Sequence, residues 1–136
     1  MNITDVKVDD NYSYERTVIE FDLQEYARLS GDDNPLHTSE DVGSRSRFQR
    51  KPSYGLLTAM WLKLGHFFPN TLCLSQEIDY PNPVYVGDTL HVALRVKSVS
   101  VTTNTFCVYG RVSNTKGGTV LRCNAMIMVL NELNKE

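Results

Sequence analysis

The composition is that of a soluble globular protein: 136 residues, 41% hydrophobic and 22% charged, enough for one compact domain spanning residues 1–136. The formal net charge of -2 gives no electrostatic reason to expect nucleic acid as a partner. No basic start followed by an apolar run marks a secretory signal, and no stretch reaches the roughly 20 apolar residues of a membrane span.

The N-terminal third is predicted to hold one strand and one helix. Residues 14–21 alternate well enough for the strand. Asp22 can cap the helix, with Glu25 in the acidic position of a capping box. Gly31 is placed to end that helix in the left-handed conformation.

Three further features are predicted before the second half of the chain. Pro35 argues against a regular helix in residues 32–37, and Thr38 or Ser39 can open a short helix after it. A third helix is predicted over residues 54–67, capped by Ser53. Apart from Lys63 and His66 it is apolar on nearly every side, so it must be surrounded by other elements.

The remainder of the chain is predicted to be β-rich. Strands are indicated at residues 72–80, from 89 onward, at 105–112 and at 120–130, with turn signals at 87–88 and 114–118. Long strands and one apolar helix predict an α+β fold in which an antiparallel sheet wraps around the helix. A chain of this length covers such a helix incompletely, which favours a homodimer with the sheets paired edge to edge.

The cysteines and histidines show no metal-ligand spacing. Cys73, Cys107 and Cys123 are expected to be small, reduced core residues, which fits a cytoplasmic location. The three histidines are far apart in sequence, so we expect no bound metal.

Asp32 and His37 form the segment with the clearest chemical potential. They are five residues apart, and Pro35 breaks the chain between them, so both side chains can face one point. A carboxylate beside an imidazole is a plausible acid–base pair near neutral pH. Asn34 can hold the loop through hydrogen bonds to its own backbone. From these residues alone, a purely structural turn with a capping Asp remains the alternative.

Three blocks resemble the MaoC-like dehydratases and (R)-specific enoyl-CoA hydratases, in that family's order and spacing. They are YARLSGDDNPLH (26–37), SRFQRKPSYGLLTA (46–59) and LSQEIDYPNPVYVGDTL (74–90). The resemblance implies a hot-dog fold and reversible hydration of 2-enoyl thioesters, or dehydration of (R)-3-hydroxyacyl thioesters. It further implies that Asp32 and His37 together activate water, and that no cofactor is needed apart from the coenzyme A or phosphopantetheine of the substrate.

The resemblance also assigns roles around the third helix. It implies that the backbone N–H of Gly55 holds the thioester oxygen, where a helix N-terminus is suited to developing negative charge. Tyr54 stands where these enzymes usually carry His, which leaves it a supporting role as a neutral donor. Lys63 replaces a small polar residue, and either limits the acyl pocket or extends to solvent from the edge of the helix.

A basic loop precedes that helix and is the candidate for phosphate binding. It holds Arg45, Arg47, Arg50 and Lys51, which either contact the phosphates of coenzyme A or of a carrier protein, or are simply solvated. Two other functions stay open at this point: a hot-dog thioesterase, and a non-catalytic subunit that binds acyl thioesters.

Overall fold

A computed structural model describes residues 1–130 of the chain. After a short turn of 3₁₀ helix at Ile3–Asp5, the elements are β1 Asn11–Thr17, α1 Glu20–Ser30, α2 Pro35–Thr38, α3 Glu40–Ser44, α4 Gly55–Met60, α5 Leu64–Phe67, β2 Thr71–Asp79, β3 Thr89–Ser100, β4 Thr105–Ser113 and β5 Thr119–Val129. No helix among these residues is long and apolar enough to cross a membrane.

The strands form one antiparallel sheet in the order β1-β3-β4-β5-β2. Alternation along β3 works as predicted, since Leu90, Val92, Leu94 and Val96 are all buried while the residues between them are more exposed. These side chains pack against the helices that lie on one face of the sheet. The expected α+β architecture is therefore confirmed for the described residues.

The start of α1 differs from the prediction. Ile19 is the N-cap residue, and Asp22 lies inside the helix, where its carboxylate accepts the Ile19 N–H at 3.0 Å. Arg16 pairs with the same carboxylate at 2.8 Å. Asp22 therefore supplies the acid of the capping box, so the expected box of Asp22 and Glu25 is wrong. The predicted end is confirmed, with Gly31 at φ 76°.

The prediction of one long helix over residues 54–67 is also wrong. The segment forms two short helices, α4 and α5, separated at Lys63, whose φ is 49°. The end of α4 tightens into i to i+3 hydrogen bonds, and the hydroxyl of Tyr14 donates to the carbonyl of Trp61. In a continuous helix the Trp61 carbonyl would accept a backbone N–H of the same helix, but here it accepts the Tyr14 hydroxyl.

The helical segment is not surrounded on every side within one chain. Leu56 is 59% exposed and Met60 55% exposed on α4. Ser53 does not cap this helix, because Tyr54 stands at the N-cap position and its side chain makes no capping bond.

The structure also differs from the prediction at residues 35–38 and at the cysteines. Residues 35–38 form one helical turn, because Pro35 stands at its first position, where a missing N–H costs nothing. Ser39 caps the next helix as predicted, accepting the Val42 N–H at 3.2 Å. Of the three cysteines only Cys123 is fully buried, and Cys73 is exposed on the edge strand β2.

Candidate active site

The loop between α1 and α2 orders the side chains of Asp32 and Asn34 by local hydrogen bonds. One carboxylate oxygen of Asp32 accepts the backbone N–H of Asn34 at 3.2 Å. The side-chain oxygen of Asn34 in turn accepts the N–H of Leu36 at 3.1 Å, which caps α2. This is the local role that the sequence predicts for Asn34, and it fixes where α2 begins and thus where His37 points.

His37 is half-buried, and one contact sets its tautomer. Its Nδ1 lies 2.9 Å from the carbonyl oxygen of Pro52. A carbonyl oxygen can only accept, so Nδ1 carries the proton in this contact. In the neutral ring Nε2 is therefore unprotonated and able to take a proton from water.

Tyr54 links both predicted catalytic residues. It is only 3% exposed, and its ring lies 4.4 Å from those of His37 and Tyr26, measured between ring centroids. Its hydroxyl donates to the backbone carbonyl of Asp32 at 2.7 Å. Burial raises the pKa of Tyr54, and the negative charges of Asp32 and Asp33 raise it further, so the phenol remains a neutral donor near pH 7.

A cavity of about 320 Å³ opens beside these residues. Its wall is formed by Leu36, His37, Arg47, Phe48, Pro52, Ser53, Tyr54, Gly55, Thr58, Tyr80, Pro81, Asn82, Pro83, Val84 and Val120. His37 and the first residue of α4, Gly55, thus face one space. Asp32 is exposed and is not part of this wall; its backbone carbonyl, which accepts the Tyr54 hydroxyl, is its recorded contact with a residue of the wall.

The comparisons with known proteins identify the family. The family described as "MaoC like domain" matches residues 4–117. The chain belongs to this family.

Two relatives and one solved structure extend this result. The MaoC-like chain is 28% identical over 129 residues to an (R)-specific enoyl-CoA hydratase of Rhodospirillum rubrum, covering 92% of this chain and 89% of that protein. It is 27% identical over 105 residues to a mitochondrial 3-hydroxyacyl-[acyl-carrier-protein] dehydratase of Arabidopsis thaliana, covering 76% and 63%. An unliganded R-hydratase from Pseudomonas aeruginosa matches with a TM-score of 0.85 and 27% identity, covering 99% of this chain and 92% of that one. The expected hot-dog fold is confirmed.

The four basic residues before α4 do not act as one patch in this MaoC-like domain. Lys51 is buried and paired with Glu20, so it is not solvated, and a contact between Lys51 and a substrate phosphate stays a prediction that would require this pair to open. Burying the ammonium without its carboxylate partner would be costly, which explains why the pair exists.

The three arginines differ in how well they are placed to bind a substrate phosphate. Arg45 pairs with Asp41 on the exposed side of α3, and the guanidinium of Arg50 lies 3.6 Å from the ring centroid of Tyr85. Arg47 is the one member of the group that lines the cavity next to His37. A phosphate-binding role stays a prediction for these arginines, with Arg47 best placed.

Lys63 is separated from this cavity. It is exposed, it is not part of the helix, and its ammonium lies 4.3 Å from the ring centroid of Tyr14. Lys63 is not among the residues that form the cavity wall around His37 and Gly55. The exposure of Lys63 favours the solvent-facing alternative, and a role for Lys63 in the acyl pocket stays a prediction.

Among the cavity residues that sequence reasoning missed are Ser53, Thr58 and Tyr80. Thr58 could have been found, because it stands three residues after Gly55 and therefore on the same helix face. Tyr80 could not. A Cβ on Gly55 would lie 2.9 Å from two ring atoms of Tyr80, a contact made only when the end of β2 meets α4. Any larger residue at position 55 would therefore force the ring of Tyr80 to move.

Tyr54→Phe tests the connection between Tyr54 and Asp32. Removing the hydroxyl leaves the Asp32 carbonyl without its buried donor, while the ring contacts with His37 survive. We expect turnover to fall roughly tenfold, the effect of one hydrogen bond, with little change in KM. Tyr26→Phe is the matched control, and an equal loss in both variants would contradict the proposed connection.

Proposed function

We propose that this MaoC-like domain is a hydro-lyase that adds water to 2-enoyl thioesters and removes it from (R)-3-hydroxyacyl thioesters. The proposal rests on the position of one buried residue, Tyr54. Its hydroxyl donates to the backbone carbonyl of Asp32, its ring packs against His37, and it directly precedes Gly55 in the chain. The relatives named above as hydratases and dehydratases support the same chemistry.

In the proposed hydration, a water molecule lies between the Asp32 carboxylate and Nε2 of His37. The pair removes a proton as the water oxygen bonds to C3 of the enoyl group. The electrons of the double bond move toward the thioester carbonyl, whose oxygen becomes enolate-like. The backbone N–H of Gly55 donates to that oxygen, and a proton from the pair then reaches C2. Dehydration follows the same steps in reverse.

No step in this scheme needs a metal or a redox cofactor, and coenzyme A or phosphopantetheine enters only as part of the substrate. No group of three or more His, Cys, Asp or Glu residues in residues 1–130 is arranged to hold a metal ion. The absence of a cofactor nevertheless stays a prediction. We also propose that the acyl group can be carried by an acyl-carrier protein in place of coenzyme A. A reducing, cytoplasmic location of the protein is a separate proposal.

Incubation with crotonyl-CoA tests the function, with loss of the enoyl absorbance and release of free thiol measured in parallel. We expect the absorbance to fall without thiol release. Thiol release at the rate of substrate loss would indicate a thioesterase, and no change in either signal would indicate a binding subunit.

We further propose that the protein is a homodimer. The edge strand β2 carries the exposed Leu72 and Leu74, and α4 leaves Leu56 and Met60 open to solvent. Exposed apolar residues on an unpaired sheet edge are typical of a surface covered by another chain.

Light scattering tests this assembly. We expect a dimer at micromolar concentration, and Leu74→Asp or Met60→Asp should shift it toward monomer. Val101→Asp is the matched control, since Val101 is at least as exposed as Leu74 and Met60 but lies in the turn between β3 and β4. A native chain that stays monomeric at this concentration would contradict the dimer.

A further inference from the structure

Two hydroxyl groups in the cavity have no part in the chemistry proposed above. Ser53 is 7% exposed and Thr58 only 1%, and both line the wall that contains His37 and Gly55. Neither side-chain oxygen has a hydrogen-bond partner among residues 1–130. Most buried hydroxyls in folded proteins are paired, so two unpaired ones in one cavity point to a polar ligand.

The position of Thr58 indicates which part of a substrate it would meet. Three residues of helix carry it about 4.5 Å along the axis from Gly55 on the same face. If the thioester oxygen is at the Gly55 N–H, three carbon–carbon bonds of about 1.5 Å each span roughly that distance. Thr58 then lies beside the acyl group near its fourth or fifth carbon, where a rotation about its Cα–Cβ bond can turn the hydroxyl toward it.

Much of the remaining wall is apolar. Leu36, Phe48, Pro83, Val84 and Val120 offer no side-chain donor or acceptor. A plain hydrocarbon acyl group would leave both hydroxyls unpaired. An oxygen on the acyl group would pair with them, and sites built in this way reject analogues that lack the oxygen.

We propose that Thr58 and Ser53 are specificity-determining residues that select acyl thioesters carrying a hydroxyl or oxo group beyond the third carbon. The proposal deepens the proposed function and rests on its placement of the thioester at Gly55. Thr58 is the principal contact because it is the more deeply buried of the two.

Calorimetric binding of saturated acyl-CoA thioesters tests this selectivity, because a saturated acyl group cannot be hydrated. The probes are hexanoyl-CoA, 4-oxohexanoyl-CoA and 5-oxohexanoyl-CoA. We expect at least one oxo compound to bind roughly tenfold more tightly than hexanoyl-CoA, the effect of satisfying a buried hydroxyl. Thr58→Val, which keeps the side-chain shape, should remove most of that preference without weakening hexanoyl-CoA binding.

The controls separate recognition from folding and from catalysis. Thr58→Ser should restore the preference, and Ser53→Ala should reduce it. Ser113→Ala removes a buried serine outside the cavity wall and should leave it unchanged. Equal affinity of the native protein for all three thioesters, or an equal loss for all three in Thr58→Val, would overturn the proposal. A preference found without hydration of the matching unsaturated thioester, 5-oxohex-2-enoyl-CoA, would contradict the enzyme function and leave the selectivity standing.

Discussion

Asp32→Asn and His37→Ala are each expected to slow hydration by roughly 10² to 10⁴, the usual contribution of a general acid–base group. Asp32→Asn keeps the side-chain oxygen that accepts the Asn34 N–H, so the loop should survive the change. His37→Ala loses the part-buried contact with the Pro52 carbonyl.

Because both residues would serve one water molecule, the double variant should be little slower than the slower single variant. Asp33→Asn is the matched control, since Asp33 is also exposed and stands next to Asp32. Thermal melting of each purified variant separates loss of chemistry from loss of fold. Two folded single variants with near-native turnover would show that the assignment of these residues is wrong.

Gly43→Ala is expected to lower the free energy of unfolding by about 3 kcal/mol or more, at the upper end of overpacking effects. A Cβ at this position would lie 2.4 Å from both the backbone nitrogen and the Cα of Lys51. Backbone atoms cannot rotate away as a side chain can, and Lys51 is held further by its pair with Glu20.

The same clash would reach the candidate site, because Pro52 follows Lys51 and its carbonyl holds Nδ1 of His37. Chemical denaturation and turnover measured on one preparation should therefore fall together. Gly65→Ala is the matched control, since a Cβ there meets nothing within 4 Å and alanine favours the helix. A Gly43→Ala protein as stable as the Gly65→Ala protein would contradict the close packing of α3 against this loop.

Local patterns predicted the features that neighbouring residues determine. The alternation along β3, the left-handed Gly31 and the local backbone hydrogen bond of Asn34 all depend on residues close in sequence, and the structure contains each of them. The three family blocks added the fold and the proposed chemistry, which composition alone could not distinguish from other α+β proteins.

Contacts between distant residues explain the failures. Nothing between Leu62 and Leu64 breaks a helix by itself, and the break at Lys63 accompanies the bond from Tyr14, 47 positions before Trp61. Lys51 appeared to be a solvated loop residue because its partner, Glu20, is 31 positions away. Such pairs are set by tertiary packing, which a single sequence does not display.

The configuration of the product formed from crotonyl-CoA tests whether Asp32 and His37 add water to the enoyl group. We expect (R)-3-hydroxybutyryl-CoA from the native protein, identified by chiral chromatography of the hydrolysed acid, and almost none from Asp32→Asn. Formation of the (S) product, or of free coenzyme A and crotonate in place of the hydroxyacyl thioester, would contradict this expectation.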